Sequence, residues 1–224
     1  MLFTPKLKEE GYLQDVLFHL FQVGSRKMDD PESFEQQRWP VLGSQLSVYG
    51  FEADPEGCAA ANAQAQQADR PWRETHFPAA IAGAMGLATL YLTQFPACSS
   101  LYPPDMAVCS RFGLQDLVRV TARLPLTTTT LAEVCRRERI PSIDVLYLDI
   151  QGAELAALQG TGSYLAHTLC VQTEVEFVPL YCGQSLFGDI DAFLRSQGFA
   201  LFALGSRSYA RPASVVYSAT RPGQ

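Results

Sequence analysis

The sequence predicts an α/β protein built on a mostly parallel sheet with helices on both faces. Short apolar runs rich in β-branched and aromatic residues alternate with helical patterns along the chain, as repeated βαβ units require. The chain closes with two strand-like runs joined by a short connection, so the last strand is expected to run antiparallel to its neighbour. Composition agrees: the 224 residues are 47% hydrophobic with a mean hydropathy of +0.01, enough for one substantial core. One domain over residues 1–224 is expected, with residues 1–15 as an N-terminal extension.

The first strand is expected over residues 16–23, followed by the polar turn Gly24-Ser25-Arg26-Lys27. Pro31 suits the first turn of a helix reaching Leu42, and LSVYGFE, residues 46–52, is the second strand. Asp54 as N-cap and Pro55 at the first helical position open an Ala- and Gln-rich helix to Ala68. Residues 76–82 read as the third strand and residues 87–93 as an alternating strand forming a hairpin with it. Residues 95–117 are rich in Pro, Ser and Cys and lack periodicity; they read as a loop, either a lid over the cleft or a static cover.

Four threonines, Thr127 to Thr130, read as a strand end plus a helix cap, with Thr130 and Glu133 as a capping box for a helix to Arg139. IDVLYLD, residues 143–149, is a buried strand, and Gly152 leads into a helix over residues 153–165. Residues 169–176 form the next strand, a helix over 187–197 ends at Gly198, and strands at 199–204 and 214–219 complete the chain.

A net charge of −6 without a long basic block argues against nucleic acid and anionic lipid as partners. No stretch approaches the roughly 18–20 apolar residues of a membrane span. Lys6, Lys8, Glu9, Glu10 and Asp15 precede any apolar run, and no small-residue cleavage site follows, so no signal peptide is read and a cytoplasmic location is expected. The six cysteines contain no CxxC pair and the three histidines are dispersed, which fits reduced thiols and no zinc site. Oligomeric state stays open, a homodimer being one option.

Ligands of open α/β sheets bind beyond the carboxyl ends of the strands. The first strand ends in Val23, Gly24 and Ser25, where glycine lets backbone approach a ligand, and the second ends in Glu52 and Ala53. An acid there can accept hydrogen bonds from both ribose hydroxyls. Gly24 and Glu52 are about 28 residues apart, whereas the dinucleotide fingerprint expects about 20 and a GxGxxG that this chain lacks. A ligand with ribose but no pyrophosphate is favoured, S-adenosylmethionine over NAD; a plain turn and a solvated strand end are the alternative. Asp149 closes the strand at 143–149, and Glu174 and Glu176 lie two apart on the following one, so period-2 geometry puts both on one face. If those strands are neighbours, three carboxylates converge. Such a group can supply a base for an acceptor hydroxyl, hold a divalent cation such as Mg²⁺ or Ca²⁺, or only orient loops.

Several segments together resemble the FkbM family of S-adenosylmethionine-dependent methyltransferases: IDVLYLDIQGAELAALQGTG, VQTEVEFVPLYCGQSLFGDIDAFLRSQGFALFAL, YGFEADPEGCAAANAQ and PACSSLYPP, within a similarity running from Phe18 to Ala219. The resemblance implies a Rossmann-like class I methyltransferase fold with seven strands in the order 3-2-1-4-5-7-6. It implies S-adenosyl-L-methionine as cofactor and methylation of a hydroxyl on a sugar, glycan or natural-product small molecule. Residues matching the family pattern are Gly24 and Ser25 in the first turn, Glu52 as ribose acid, Asp149, Gly152 and Glu154 in its Asp-x-x-Gly-x-Glu segment, Glu174, Glu176 and Tyr181 after it, and Ser99 and Ser100 in the central loop.

The catalytic candidates are Asp149, Glu174 and Glu176; the cofactor-binding candidates are Val23, Gly24, Ser25, Glu52, Ala53, Ala82, Ser99, Ser100 and Asp149; no metal ligand is assigned. Two departures stand out. Tyr147 replaces a lysine that many members carry two residues before the aspartate, and the first-strand loop GSRKMDDPESFEQQRW lacks the usual second glycine. A nicotinamide-dependent oxidoreductase and a non-catalytic adenosyl-binding protein are the competing readings.

Overall fold

The computed structural model describes residues 4–26 and 39–205. Their packing divides them into two compact units, one drawn from Met1–Ala88, Leu126–Ile150 and Ala156–Glu174, the other from Thr89–Pro125, Gln151–Leu155 and Val175–Gln224.

The first unit is a five-stranded parallel sheet. Its strands are β1 (Phe18–Val23), β2 (Leu46–Glu52), β3 (Arg73–Pro78), then further along the chain β7 (Val145–Leu148) and β8 (Cys170–Thr173), in the order β3-β2-β1-β7-β8. Strand order reverses beside β1, where chain direction around the sheet switches, and this is the place such sheets reserve for ligands. β1, β2 and β7 lie inside the sheet with parallel neighbours on both sides, which explains their near-continuous apolar character.

On one face Leu20, Leu46, Val48 and Val145 pack with Leu42 and are flanked by Leu13, Phe18, Val41 and Trp72. On the other, Phe21 meets Tyr49 and Phe51, and Phe51 stacks on Phe77. Each such buried side chain stabilises by about 1.5–3 kcal/mol. The N-terminal extension contains a short helix, α1 (Thr4–Glu9), and Lys8 Nζ donates to the carbonyls of Val41 and Leu42 at 2.8 and 3.0 Å.

Helix α2 (Pro55–Gln67) starts as its sequence dictates, with the Asp54 carboxylate accepting from Glu56 N at 3.2 Å and proline in the first turn. Further on, α4 (Leu131–Glu138) is capped by Thr130 Oγ1, which accepts from Glu133 N at 3.1 Å, while the Glu133 carboxylate pairs with Arg136.

Residues 76–82, expected as one strand, contribute to two elements, β3 and the two-residue β4 (Ala80–Ile81). Pro78 has no amide hydrogen to extend the ladder, and Ala79 N turns to Glu52 O at 3.1 Å. The expected hairpin is also replaced: β5 (Gly86–Thr93) lies in a three-stranded sheet of order β4-β6-β5, with β6 (Val120–Thr129) at its centre. β4 pairs parallel with Thr128 and Thr129 only, so Pro125 falls beyond that short partner and interrupts no ladder on that side.

In the second unit the long central segment contains a 3₁₀ turn at Pro96–Cys98 and a helix, α3 (Met106–Arg111), where the sequence suggested loop throughout. The Asp105 carboxylate caps α3 by accepting from Val108 N at 3.0 Å. The helix expected over 153–165 divides into α5 (Glu154–Gln159) and a 3₁₀ stretch, Gly162–His167, with Gly162 at φ 59°. The last described helix is α6 (Phe187–Ser196), followed by Gly198 at φ 90°.

The seven-stranded sheet with an antiparallel last strand is not what the described residues form. Residues 199–205 have no ladder partner among the described residues, and Phe202 is fully solvent-exposed. The run at 214–219 and the helix start at Pro31 lie outside the described residues. Trp39–Gln45, at the far end of that expected helix, is 3₁₀ backbone interrupted at Gly43. Among the described residues no helix is long and apolar enough to cross a membrane.

Candidate functional site

In the first unit three adjacent strand ends converge. β1 ends at Val23 and the chain turns at Gly24, φ 84°. Gly24 N and Ser25 N both donate to Phe51 O, at 2.9 and 3.0 Å, tying the turn to the end of β2. Asp149 N donates to Val23 O at 3.0 Å, tying it to the end of β7. A side chain at Gly24 would overlap the Asp149 carbonyl oxygen. Glycine is therefore required twice over, by the left-handed conformation and by this backbone approach.

Glu52 closes β2 and is only 8% exposed. Its Oε1 accepts from Asp54 N at 2.9 Å, and its Oε2 lies 3.7 Å from Arg26 Nε. Arg26 also pairs with the Asp54 carboxylate. Burial pushes the Glu52 carboxyl above its ordinary range, against the opposing influence of the Asp54 amide and the Arg26 guanidinium. A carboxylate kept buried at this cost, at the tip of a parallel strand, suits a partner that donates two hydroxyl hydrogens. Ala53 continues from Glu52 into the Asp54 cap, and Ala82 N bonds Thr129 O at 2.9 Å at the start of the smaller sheet.

Gln22, just before Val23, has a side-chain oxygen that is buried and has no hydrogen-bond partner among the described residues. Ser25 is fully buried, and its Oγ lies 2.8 Å from His76 Nδ1; His76 Nε2 lies 2.8 Å from Glu74 Oε1. Neither Gln22, Arg26 nor His76 was picked out by sequence reading. A polar residue ending an apolar strand beside a glycine turn could have marked Gln22, and the Glu74–His76 spacing on one strand face could have marked the histidine.

The carboxylate trio is arranged differently from its expected form. β7 and β8 are indeed parallel neighbours, and Glu174 N donates to Leu148 O at 2.9 Å, so Glu174 follows β8 beside the strand end that carries Asp149. β8 stops at Thr173, however, so strand alternation does not govern Glu174 and Glu176.

Glu176 belongs to the second unit, where Gln184 Nε2 donates to its Oε2 at 2.5 Å. Gln184 Oε1 accepts from Leu180 N and Tyr181 N at 2.8 and 3.1 Å. In the same unit the Tyr181 hydroxyl lies 2.9 Å from Cys98 O and 3.0 Å from Gln151 Oε1. Ser100 Oγ donates to Gln151 O at 2.7 Å, while Ser99 Oγ accepts from Thr93 N at 3.1 Å. Gly152 N donates to the buried Glu154 carboxylate at 2.9 Å. The two serines thus hold loops together, and Tyr181 and Gln184 brace the segment bearing Glu176. Among the described residues no group of three or more His, Cys, Asp or Glu side chains is placed to hold a metal ion.

Compared with known protein families, residues 22–201 match the methyltransferase FkbM domain. Neither the curated proteins nor the solved structures provide a match.

Proposed function

Since the chain belongs to the FkbM methyltransferase family, we propose that it takes the methyl group of S-adenosyl-L-methionine and transfers it to a hydroxyl of a sugar, glycan or natural-product small molecule. The observation that carries this reading is the buried Glu52 carboxylate at the tip of β2, next to the glycine turn after β1. The residues present fit the cofactor. Glu52 can accept from both hydroxyls of a ribose, and the Gln22 side-chain oxygen, with no partner among the described residues, suits an ammonium or amine hydrogen.

Bound S-adenosylmethionine supplies an electrophilic methyl on a sulfonium. The chain's own residues do the rest. The turn at Gly24 and Ser25 presents its backbone to the ligand, and Glu52 orients the ribose. Asp149 receives the acceptor's hydroxyl proton or orients that hydroxyl, and Glu174 shapes the acceptor's surroundings; Glu176, bonded to Gln184, is a further acidic candidate. A divalent cation such as Mg²⁺ is an optional addition, abandoned if chelator and added Mg²⁺ leave turnover unchanged.

Calorimetric titration with S-adenosylhomocysteine and with NAD tests the reading. Binding of the former alone, weakened about tenfold or more by Glu52→Ala, is expected. Binding of NAD alone, or an affinity indifferent to Glu52, overturns it.

A further inference from the structure

The buried chain Ser25–His76–Glu74 crosses from the turn after β1, over β2, to β3. Along β2, Leu46, Val48, Gly50 and Glu52 share one face. Leu46 and Val48 pack into the core, but at Gly50, which pairs with His76 in register, there is no side chain. A Cβ there would overlap His76 Nδ1 and lie 2.7 Å from Ser25 Oγ. The gap left by glycine is the space in which the serine and histidine meet.

The carboxylate end of this chain is held by several donors. Glu74 Oε2 takes Arg70 and, at 3.2 Å, Trp72 Nε1, so the carboxylate acts as acceptor and His76 Nε2 donates to its Oε1. The other ring nitrogen, Nδ1, faces the Ser25 hydroxyl at 2.8 Å and shares a hydrogen bond with it. The histidine is held from its backbone as well: His76 N donates to Asn62 Oδ1 at 2.9 Å, and Asn62 Nδ2 donates to His76 O at 2.8 Å. Ser25 is fully buried, so without His76 its hydroxyl would have no partner among the described residues, a state folded proteins avoid by rearranging.

We propose that His76 is a positioning residue for the adenosyl-binding turn: through Ser25 it holds that turn in the conformation that takes the ligand. The inference rests on the reading of the turn given above. It assigns His76 a role exerted through Ser25.

Two substitutions separate the ring nitrogens. His76→Asn keeps a polar atom near Nδ1, facing Ser25, and gives up Glu74; His76→Gln keeps one near Nε2, facing Glu74, and gives up Ser25. With S-adenosylhomocysteine as the calorimetric probe, the Asn variant is expected within about threefold of the unsubstituted protein, and the Gln variant about tenfold weaker or more. Ser25→Ala should match the Gln variant, and the double substitution should be no weaker than either single one, as members of one network behave. In the ligand-free protein, amide exchange at Ser25 should quicken in the Gln variant and not in the Asn variant.

A purely structural histidine would lower the thermal midpoint in both variants and leave their affinities equal; that result overturns the proposal. Should neither His76 variant fold, Ser25→Ala decides alone, and unchanged affinity overturns it. Failure of the unsubstituted protein to bind S-adenosylhomocysteine instead counts against the adenosyl reading, with the exchange experiment still testing the link from His76 to the turn.

Discussion

His19 on β1 and His76 on β3 lie in the same parallel sheet, and each is buried beside a serine hydroxyl and a carboxylate. His19 Nδ1 lies 2.9 Å from Ser142 Oγ and 3.3 Å from Asp144 Oδ2; His76 has Ser25 on one nitrogen and Glu74 on the other, both at 2.8 Å. The residue types match, and position in the sheet separates the roles. Asp144 accepts from His19 N at 2.7 Å and from Ser142 Oγ at 3.2 Å, so that group pins the starts of β1 and β7. Its partners converge on one carboxylate oxygen and stop there. The His76 group lies toward the strands' carboxyl ends, spans three elements and reaches a glycine turn. A Ser-His-acid constellation therefore acquires a bearing on ligands from the end of the sheet it occupies, more than from its composition.

The comparison can be broken most forcefully at Gly50. Gly50→Ala puts a methyl where His76 and Ser25 meet; it should destabilise by about 3 kcal/mol and abolish measurable S-adenosylhomocysteine binding. Denaturant midpoints and calorimetry would check both, and retained binding would erase the distinction between the two ends.

At the other end, Asp144→Ala leaves the His19 amide without its acceptor and should cost about 2 kcal/mol. Its affinity for S-adenosylhomocysteine should stay within about twofold. A loss of binding as large as that of the Gly50 variant would mean that both histidine groups serve the site.

The smallest effect sharpens the comparison by sign. Burial raises the Glu52 carboxyl above its ordinary value of 4.5, so its contribution to stability is full below that value and is lost as pH rises through the raised one. Glu52→Gln should therefore stabilise the ligand-free protein by about 1 kcal/mol near pH 8 and by nothing near pH 4, while weakening ligand binding. Thermal midpoints across that pH range measure the difference, and stabilisation equal at both pH values would contradict it.

The centre of the sheet was readable because β1, β2 and β7 are buried on both faces and spell it out in continuous apolar letters. Asp54 and Thr130 marked their helices because a cap is a local contact, reaching two or three residues. β6 was legible only at its threonine end: its residues are partly or fully exposed until Thr128, and Pro125 breaks the run. The Ser25–His76 bond joins residues 51 apart, and Ser100 reaches Gln151 across the same separation. No spacing rule covers such pairs, since they exist only once the strands are ordered. Glu174 and Glu176 were placed on a strand because Leu169–Cys170–Val171 begins like one, but the ladder ends at Thr173. Local patterns thus located the tips of β1, β2 and β7, whereas the side-chain partners at those tips depended on tertiary neighbours.

Phe51 O receives two donors, Gly24 N and Ser25 N, and both are main-chain groups. A tether made of amides and a carbonyl does not depend on which side chains the loop carries. The loop after β1 can therefore vary in sequence, carrying arginine at position 26 here, without loosening the bend at Gly24. Inheritance can rewrite the contacts beyond that bend without first having to reinvent it.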